Sequence, residues 1–450
     1  MDKNTFIQKL FARAAEKGIE KCEVFYQSGS SFSVNVFKGE VIDYNAADEA
    51  GLGFRALVNG KRGYASTQAL DDEAIELLVN SAITNAELIE NEDVQFMHDG
   101  SGEYVEIDNY DPAIDEVSAA AKIALAKDLE KRTLAADKRI DQLEASEVMS
   151  SSNEVTIVNT LGLNVTSRGN MLGGFVGPVA REDDKVASTF KMFTCKGADT
   201  SKSDEAIKAA VEDAVANLYA ESMPSGEYSV IMRYDAMASL MATFSGIFSA
   251  DNAQKGLSLL KGREGEKIAA DCVTIVDDPH MPEQAASTPF DGEGVPTYRK
   301  EVISAGTLTT LLHNMMTAHK QGVKSTGNGS RPSYTSPVGI APTNFYIQPG
   351  ENDLEALAAK MGDGIIITRL EGMHAGANPI SGDFSLGAKG YRVDGGKIGG
   401  AVKQITVAGN YYQLLKNIVE VGSDLEFGMP RSACFGSPSV LVSKLSVAGK

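Results

Sequence analysis

The chain of 450 residues has no tryptophan, five histidines and four cysteines. Each shortage excludes something. Cys22, Cys195, Cys272 and Cys434 lie far apart with no CxxC pair, which argues against a zinc knuckle or disulfide scaffold and for a reducing compartment. No stretch approaches the ~18 apolar residues needed to cross a bilayer. Near the amino terminus Phe6, Leu10, Phe11 and Ala14 recur at helical spacing among charges instead of forming the apolar core of a signal. A soluble, cytoplasmic protein is expected, with no membrane partner. Basic charge is scarce as well: 42 Lys and Arg stand against 61 Asp and Glu, a net −19. No Lys/Arg block offsets this, so the footprint for a phosphate backbone is missing and no nucleic-acid partner is expected.

The shortage of histidine bears on catalysis. A self-sufficient metallopeptidase needs two or three ligands on rigid elements and a carboxylate to activate water, most simply a His-Glu-…-His helix. The histidines are His98, His280, His313, His319 and His374, and only His313 and His319 are near neighbours. Six residues separate them, which on a helix turns them about 120° apart and off any shared ion. Asp277-Asp278-Pro279-His280 has the composition of a small metal or acid/base site, and equally of an Asp-Pro turn. Neither GxSxG nor GxxxxGK[ST] occurs. Gly327-Asn328-Gly329-Ser330 reads either as a connecting turn or as a tight loop whose backbone N–H groups grip a peptide carbonyl or carboxylate.

What is abundant is glycine, 44 residues, in a chain long enough for two cores. Periodicity predicts helices at 4–18, 72–88, about 113–133 and about 203–220. Strands are predicted at 22–27, 31–43 and 52–66, the last turning at Asn59-Gly60, and again near 139–149, 154–167 and 186–195. The order suggests a tandem repeat of a helix and antiparallel-sheet unit, about 1–89 and 113–221, joined by an acidic link at Glu90–Asp111. Ser222–Gly226 is the expected boundary between an N-terminal α+β domain, 1–224, and a β-rich C-terminal domain, 225–450. There a strand at 227–233 and a helical run at 235–250 precede short strands turning at Ser304-Ala305-Gly306 and Asp394-Gly395-Gly396, which predicts an antiparallel, partly closed sheet. The fold class is α+β.

Five strings in the second half, in order, are specific as a set: Gly294-Val295-Pro296; Ser325 to Arg331 with Tyr334; Asn344-Phe345-Tyr346; Ser381 to Ser385; and Val421 to Leu425. They resemble the TldD/TldE (PmbA) family, also labelled modulator of DNA gyrase or peptidase U62. In the zinc-bearing kind of that family an HExxxH helix precedes a Gly-x-x-Gly-Glu segment by about twenty residues, and a cysteine near the C-terminus is a further ligand. Counting back from Gly262 reaches Met241, Ala242 and Gly246, so the zinc motif is replaced; Cys434 lies near the place of the ligand cysteine. The resemblance implies a non-catalytic subunit with no cofactor of its own. It would complete a peptidase complex with a zinc-bearing TldD-type homologue and form part of a chamber for extended or unfolded peptides. Gly327, Asn328, Arg331, Tyr334 and Asp383 are the expected peptide contacts. Two alternatives are a stand-alone homodimeric peptide-binding scaffold, and an active metallopeptidase with unorthodox ligands among Asp277, Asp278, His280 or Cys434.

Overall fold

The computed structural model describes residues 1–90, 96–195, 199–282, 284–429 and 433–450. Part of the acidic link expected at Glu90–Asp111, residues 91–95, lies outside them. The first half builds one antiparallel sheet from two similar runs of elements. The first run is α1 (Lys3–Glu16), β1 (Lys21–Phe37), β2 (Glu40–Val58), β3 (Lys61–Thr67) and α2 (Asp72–Glu87). The second is α3 (Pro112–Asp115), α4 (Ala119–Ala136), β4 (Ile140–Asn159), β5 (Asn164–Glu182), β6 (Lys185–Ser188), β7 (Lys191–Thr194) and α5 (Lys202–Leu218). The strands run in the order β3-β2-β1-β4-β5-β6, with β7 also on β5.

Local chemistry sets the ends of these elements. Asp2, Asp71 and Ser118 cap their helices by accepting the N–H of Thr5, Ala74 and Ala121. Ser118 also explains why the single helix expected at 113–133 is two: the cap restarts the chain after a short first turn. The turn at Asn59-Gly60 joins β2 to β3, both residues at positive φ as a two-residue hairpin requires. An identical device at Lys38-Gly39 interrupts what the sequence suggested was one strand over 31–43. The strands are also longer than predicted, because β1 and β4 continue through serine-rich centres where alternation is weak.

One face of this sheet is covered by helices in two patches. α1 and α2 bury Phe6, Leu10, Leu78 and Val79 against Val24, Leu52 and Phe54, while α4 and α5 bury Leu129 and Ala210 against Val34, Val148 and Val176. The opposite face receives the second half of the chain through Phe25, Ile157, Leu163 and Phe290. Sheet residues are therefore buried on both sides here.

The second half starts with β8 (Gly226–Met232) and α6 (Tyr234–Phe244), then a 3₁₀ turn at Ser245–Phe248 and α7 (Ala250–Gln254), so the helical run expected at 235–250 breaks at Ser245. Next come β9 (Ile275–Asp277), β10 (Lys300–Ser304), β11 (Thr307–Leu308), α8 (Met315–Gln321), β12 (Gly329–Ser330), β13 (Gly339–Ile340) and β14 (Asn344–Ile347). The chain continues through α9 (Leu354–Met361), β15 (Gly364–Glu371), α10 (Met373–Gly376), β16 (Asp383–Asp394), β17 (Lys397–Asn410), α11 (Tyr411–Lys416), β18 (Ile418–Val421), β19 (Glu426–Phe427), β20 (Cys434–Ser437) and β21 (Val440–Ala448).

Two six-stranded sheets result. One runs β17-β16-β15-β8-β21-β18 and closes on itself where β17 also pairs with β21; the other runs β11-β10-β9-β14-β20-β19. Neither is purely antiparallel, contrary to the prediction. β8 and β15 pair parallel, as do β14 and β20, because each pair is joined by a long excursion that lets the chain return in the same direction. A core centred on Met237, Phe244, Phe248, Phe345 and Tyr411 lies between them. The architecture is α+β, and among the described residues no helix is long and apolar enough to cross a membrane.

Candidate functional site

β-Alternation decides which side chains meet the second half of the chain. Glu23, Phe25 and Gln27 of β1 share one face, with Asn153, Val155 and Ile157 opposite them on β4 and Ser167 and Gly169 beyond on β5. Onto this face fold three segments of the second half, around 285–292, 327–332 and 341–343. Between sheet and loops lies a cavity of about 280 Å³. A second hollow of about 450 Å³ adjoins it, sharing Ser167, Arg168 and Phe290 and roofed by the strap 104–110.

Gly327, Asn328 and Arg331, expected from the sequence to contact peptide, line the cavity. Their bonding differs from the expectation. The three successive N–H groups of the glycine-rich loop are all taken from within: Gly327 donates to Ser325 Oγ, Asn328 to the His313 carbonyl and Gly329 to Asp291 Oδ2 at 2.7 Å. The loop is therefore a rigid wall and not an open row of donors. Gly327 is held at φ +68° with its Cα pressed to Pro296, a place a side chain would not tolerate. The Asn328 side chain donates to Asp277 Oδ2 at 2.8 Å and to the Ala341 carbonyl at 3.1 Å.

Arg331 does not point at solvent. Its guanidinium lies over the Phe25 ring at 4.8 Å and pairs with Glu23 Oε1 at 2.9 Å. Arg55, directly across the β1–β2 ladder from Glu23, reaches the same oxygen at 3.0 Å, and Glu293 stands 4.0 Å from Arg55. These four side chains are almost wholly buried, and Glu23 Oε2 and Arg331 Nε have no hydrogen-bond partner. Burial and the two neighbouring guanidinium groups push Arg62 below its ordinary value. Asp291, also buried, accepts N–H bonds from Gly329, Glu293 and Val295. Burial, reinforced by Glu293, lifts its carboxyl to about 7. Burial raises Glu293 too.

Tyr334 lies at the edge of this arrangement. Its ring rests on Gly51, its carbonyl accepts from Tyr64 and its hydroxyl accepts from Gln68 at 2.9 Å. Asp383 belongs elsewhere. It opens β16, exposed, and accepts from Asn410 at 2.8 Å across the β16–β17 hairpin, so the structure separates it from the residues with which the sequence grouped it. Gln27, Asn153 and Ser167 were missed as cavity residues; only their shared register on three long strands brings them together, and no local signal marks them.

Sites read as alternative metal or acid/base chemistry are accounted for by packing. Asp277 is fully buried and both oxygens are engaged, by Lys300 at 2.9 Å, Asn328, and the N–H and hydroxyl of Thr343. Asp278 accepts the N–H of His280 as an Asx turn, and the His280 ring meets Thr297. His313 is buried against Thr317, and His319 packs on Phe96 at 4.7 Å with the rings tilted by 50°, so the two do not converge. Among the described residues no group of three His, Cys, Asp or Glu is placed to hold a metal ion.

Met241, Ala242 and Gly246, where the resemblance put a replaced zinc motif, lie at the end of α6 and in the 3₁₀ turn after it. Met241 is buried in the core and Ala242 is exposed, while Gly246 has left the α-helix for the 3₁₀ turn, where Asn252 donates to its carbonyl at 2.8 Å. A Cβ at Gly246 would stand 3.3 Å from that same amide. α6 packs on β20, which carries Cys434, and burial pushes that thiol up to about 11, so it is a neutral sulfhydryl at physiological pH. The thioether of Met241, the methyl of Ala242 and the bare Cα of Gly246 are not zinc ligands.

Comparison with known proteins identifies relatives over most of the chain. Models of the PmbA/TldA metallopeptidase domain 1, central domain and C-terminal domain match residues 22–86, 112–218 and 225–449. Metalloprotease PmbA of Escherichia coli O157:H7 is 28% identical over 95% of this chain and 92% of its own. A metalloprotease of Archaeoglobus fulgidus is 29% identical over 83% of this chain and 85% of its own. The crystal structure of a putative modulator of a DNA gyrase from Thermotoga maritima superposes with a TM-score of 0.90 at 36% identity, covering 99% of this chain and 100% of that one. TldE from Thermococcus kodakarensis shares the fold, with a TM-score of 0.89 at 23% identity over 99% of this chain and 100% of its own.

Proposed function

The chain belongs to the PmbA/TldD metallopeptidase family, and from that premise we propose that it is a metal-free subunit that binds extended peptides while a zinc-bearing homologue hydrolyses them. The observation that carries this reading is the donor set at the end of α6 and in the turn that follows it. Met241, Ala242 and Gly246 supply no imidazole and no carboxylate, and Asn252 crowds the position where a second histidine would stand. The cavity between the first sheet and the loops 285–292 and 327–332 supports the binding half of the reading. It is walled by strands and a rigid glycine loop, is lined by Asn153 and by Arg168, whose guanidinium pairs with Glu154, and has no histidine or cysteine among its described lining residues. Such a site can orient a chain.

The test is reconstitution in the cytoplasmic setting that the composition suggests. The subunit, a zinc-bearing homologue from the same genome, and their mixture are each assayed for zinc by mass spectrometry and for cleavage of an unfolded peptide. Activity and zinc are expected to need the homologue, with the two chains co-purifying. Stoichiometric zinc and peptide cleavage by this chain alone would overturn the proposal.

A further inference from the structure

The first sheet has one long open edge. β3 pairs with β2 only from Leu52 to Val58, whereas β2 begins at Glu40 and pairs with β1 along its other side. Among the described residues the stretch Glu40–Ala50 therefore presents a rank of main-chain groups with no strand beside it, roughly 35 Å long at ~3.3 Å per residue. All of these residues except Ala47 are exposed. Edges of this length are normally blunted or paired, since they template another strand.

Side chains along the edge say what would pair there. On the helix side, Phe32 and Val34 of β1 are buried with Leu129 of α4, but the strip continues across the ladder to Ala46 and Tyr44, beyond the helix, where Tyr44 is 51% exposed. Glu40, Asp43, Asp48 and Glu49 line the same stretch, which holds no lysine or arginine, and among the described residues none of the four is ion-paired. A second copy of the chain, pairing antiparallel about Asn45, would crowd a second set of Glu40, Asp43, Asp48 and Glu49 along the same ladder with no cation between them, placing Asp43 diagonally beside Glu49 twice. The charge selects a basic strand.

We propose that the β2 edge at Glu40–Ala50 is a docking site for an extended basic peptide, which adds antiparallel as a new strand with lysine or arginine side chains beside Glu40, Asp43 and Glu49, which share one face. Apolar residues on the peptide's other face would cover Tyr44 and Ala46. The site is separate from the cavity and does not depend on how that cavity is used. It begins where Tyr334 closes off Gly51.

The probe is a labelled peptide of about twelve residues alternating lysine and valine, with an N-methylated form that keeps the charge but removes the pairing N–H groups, and a glutamate–valine control. Anisotropy is expected to show saturable binding of the first only, and hydrogen exchange to show protection confined to residues 40–51. Replacing Asp43→Lys and Glu49→Lys together, both exposed and on one face, should weaken binding about tenfold. Equal binding of the N-methylated probe, or protection at 285–292 and 327–332 instead, overturns the proposal. So does protection of 40–51 in the protein alone at rising concentration, which would make a second copy the occupant, or protection that only a homologous subunit confers.

Discussion

Replacing Arg331→Met should separate the two halves of the molecule before it affects anything at the cavity. Glu23 Oε1 is shared by Arg331 at 2.9 Å and Arg55 at 3.0 Å, all three nearly fully buried. At an effective dielectric of about 20, each contact is worth roughly 5–6 kcal/mol, and the two guanidinium nitrogens, at most about 6 Å apart, repel by roughly 3 kcal/mol. Losing Arg331 therefore removes about 3 kcal/mol, less whatever is regained by no longer burying a guanidinium. That is below the ~3–5 kcal/mol of breaking an isolated buried pair, because Arg55 stays to hold Glu23. The expected loss is about 2–3 kcal/mol in urea unfolding, followed by circular dichroism since the chain has no tryptophan. Because the pair joins β1 to the loop after β12, early cleavage within 331–337 by a dilute protease should accompany it. Glu23→Gln, alone and combined with Arg331→Met, completes a cycle in which the double variant costs clearly less than the sum of the singles. If Arg331→Met changes stability by less than about 0.5 kcal/mol while abolishing peptide binding, the residue contacts ligand and the reasoning fails.

Asp291→Asn should flatten the pH dependence of stability. A carboxyl at about 7 in the fold and near 3.8 when unfolded binds more protons folded than unfolded between those values, so its contribution falls as pH rises from 4 to 7 and is restored on acidification. The native protein should therefore lose stability across that window relative to the variant, measured by urea midpoints at pH 5 and 8; parallel curves would refute the assignment. Gly51→Ala places a Cβ into the Tyr334 ring and should release that loop, with faster hydrogen exchange at 333–336 as the readout. Alkylation at pH 8 should modify Cys272 first, since it is exposed, and reach Cys22, Cys195 and Cys434 only on unfolding, since burial pushes them up to about 12, 11 and 11.

Some helices, α2 among them, were legible in the sequence to within two residues, because caps such as Asp71 and apolar spacing act within one turn, whereas the runs expected at 113–133 and 235–250 are each broken. Strand length was not: β1 passes through Ser28–Ser33 with no alternation, and pairing on both sides holds it extended. The Lys38-Gly39 turn escaped because lysine is a poor herald of positive φ. The loop at 327–331 was found, but the partners of its N–H groups were not, since nothing local reveals that Asp291 and His313 accept them. Glu23 and Arg55 carried a usable signal: a charge inside Cys-Glu-Val-Phe or Gly-Phe-Arg-Ala has no solvent to face when both sides of the sheet are covered. Their partner Arg331 is some three hundred residues away and could come only from the fold.

The closure of the second half through β21 sets an order on its assembly. β8, its opening strand, pairs with a strand about 200 residues further along, and so does the far edge, β17, with the same strand. Until residues 440–448 have left the ribosome, β8 and β17 each hold out an unpaired edge, while the first sheet already has all its strands. A chain cut short before Val440 would thus be half native and half an exposed template, and would be expected to engage chaperones or aggregate through that half alone.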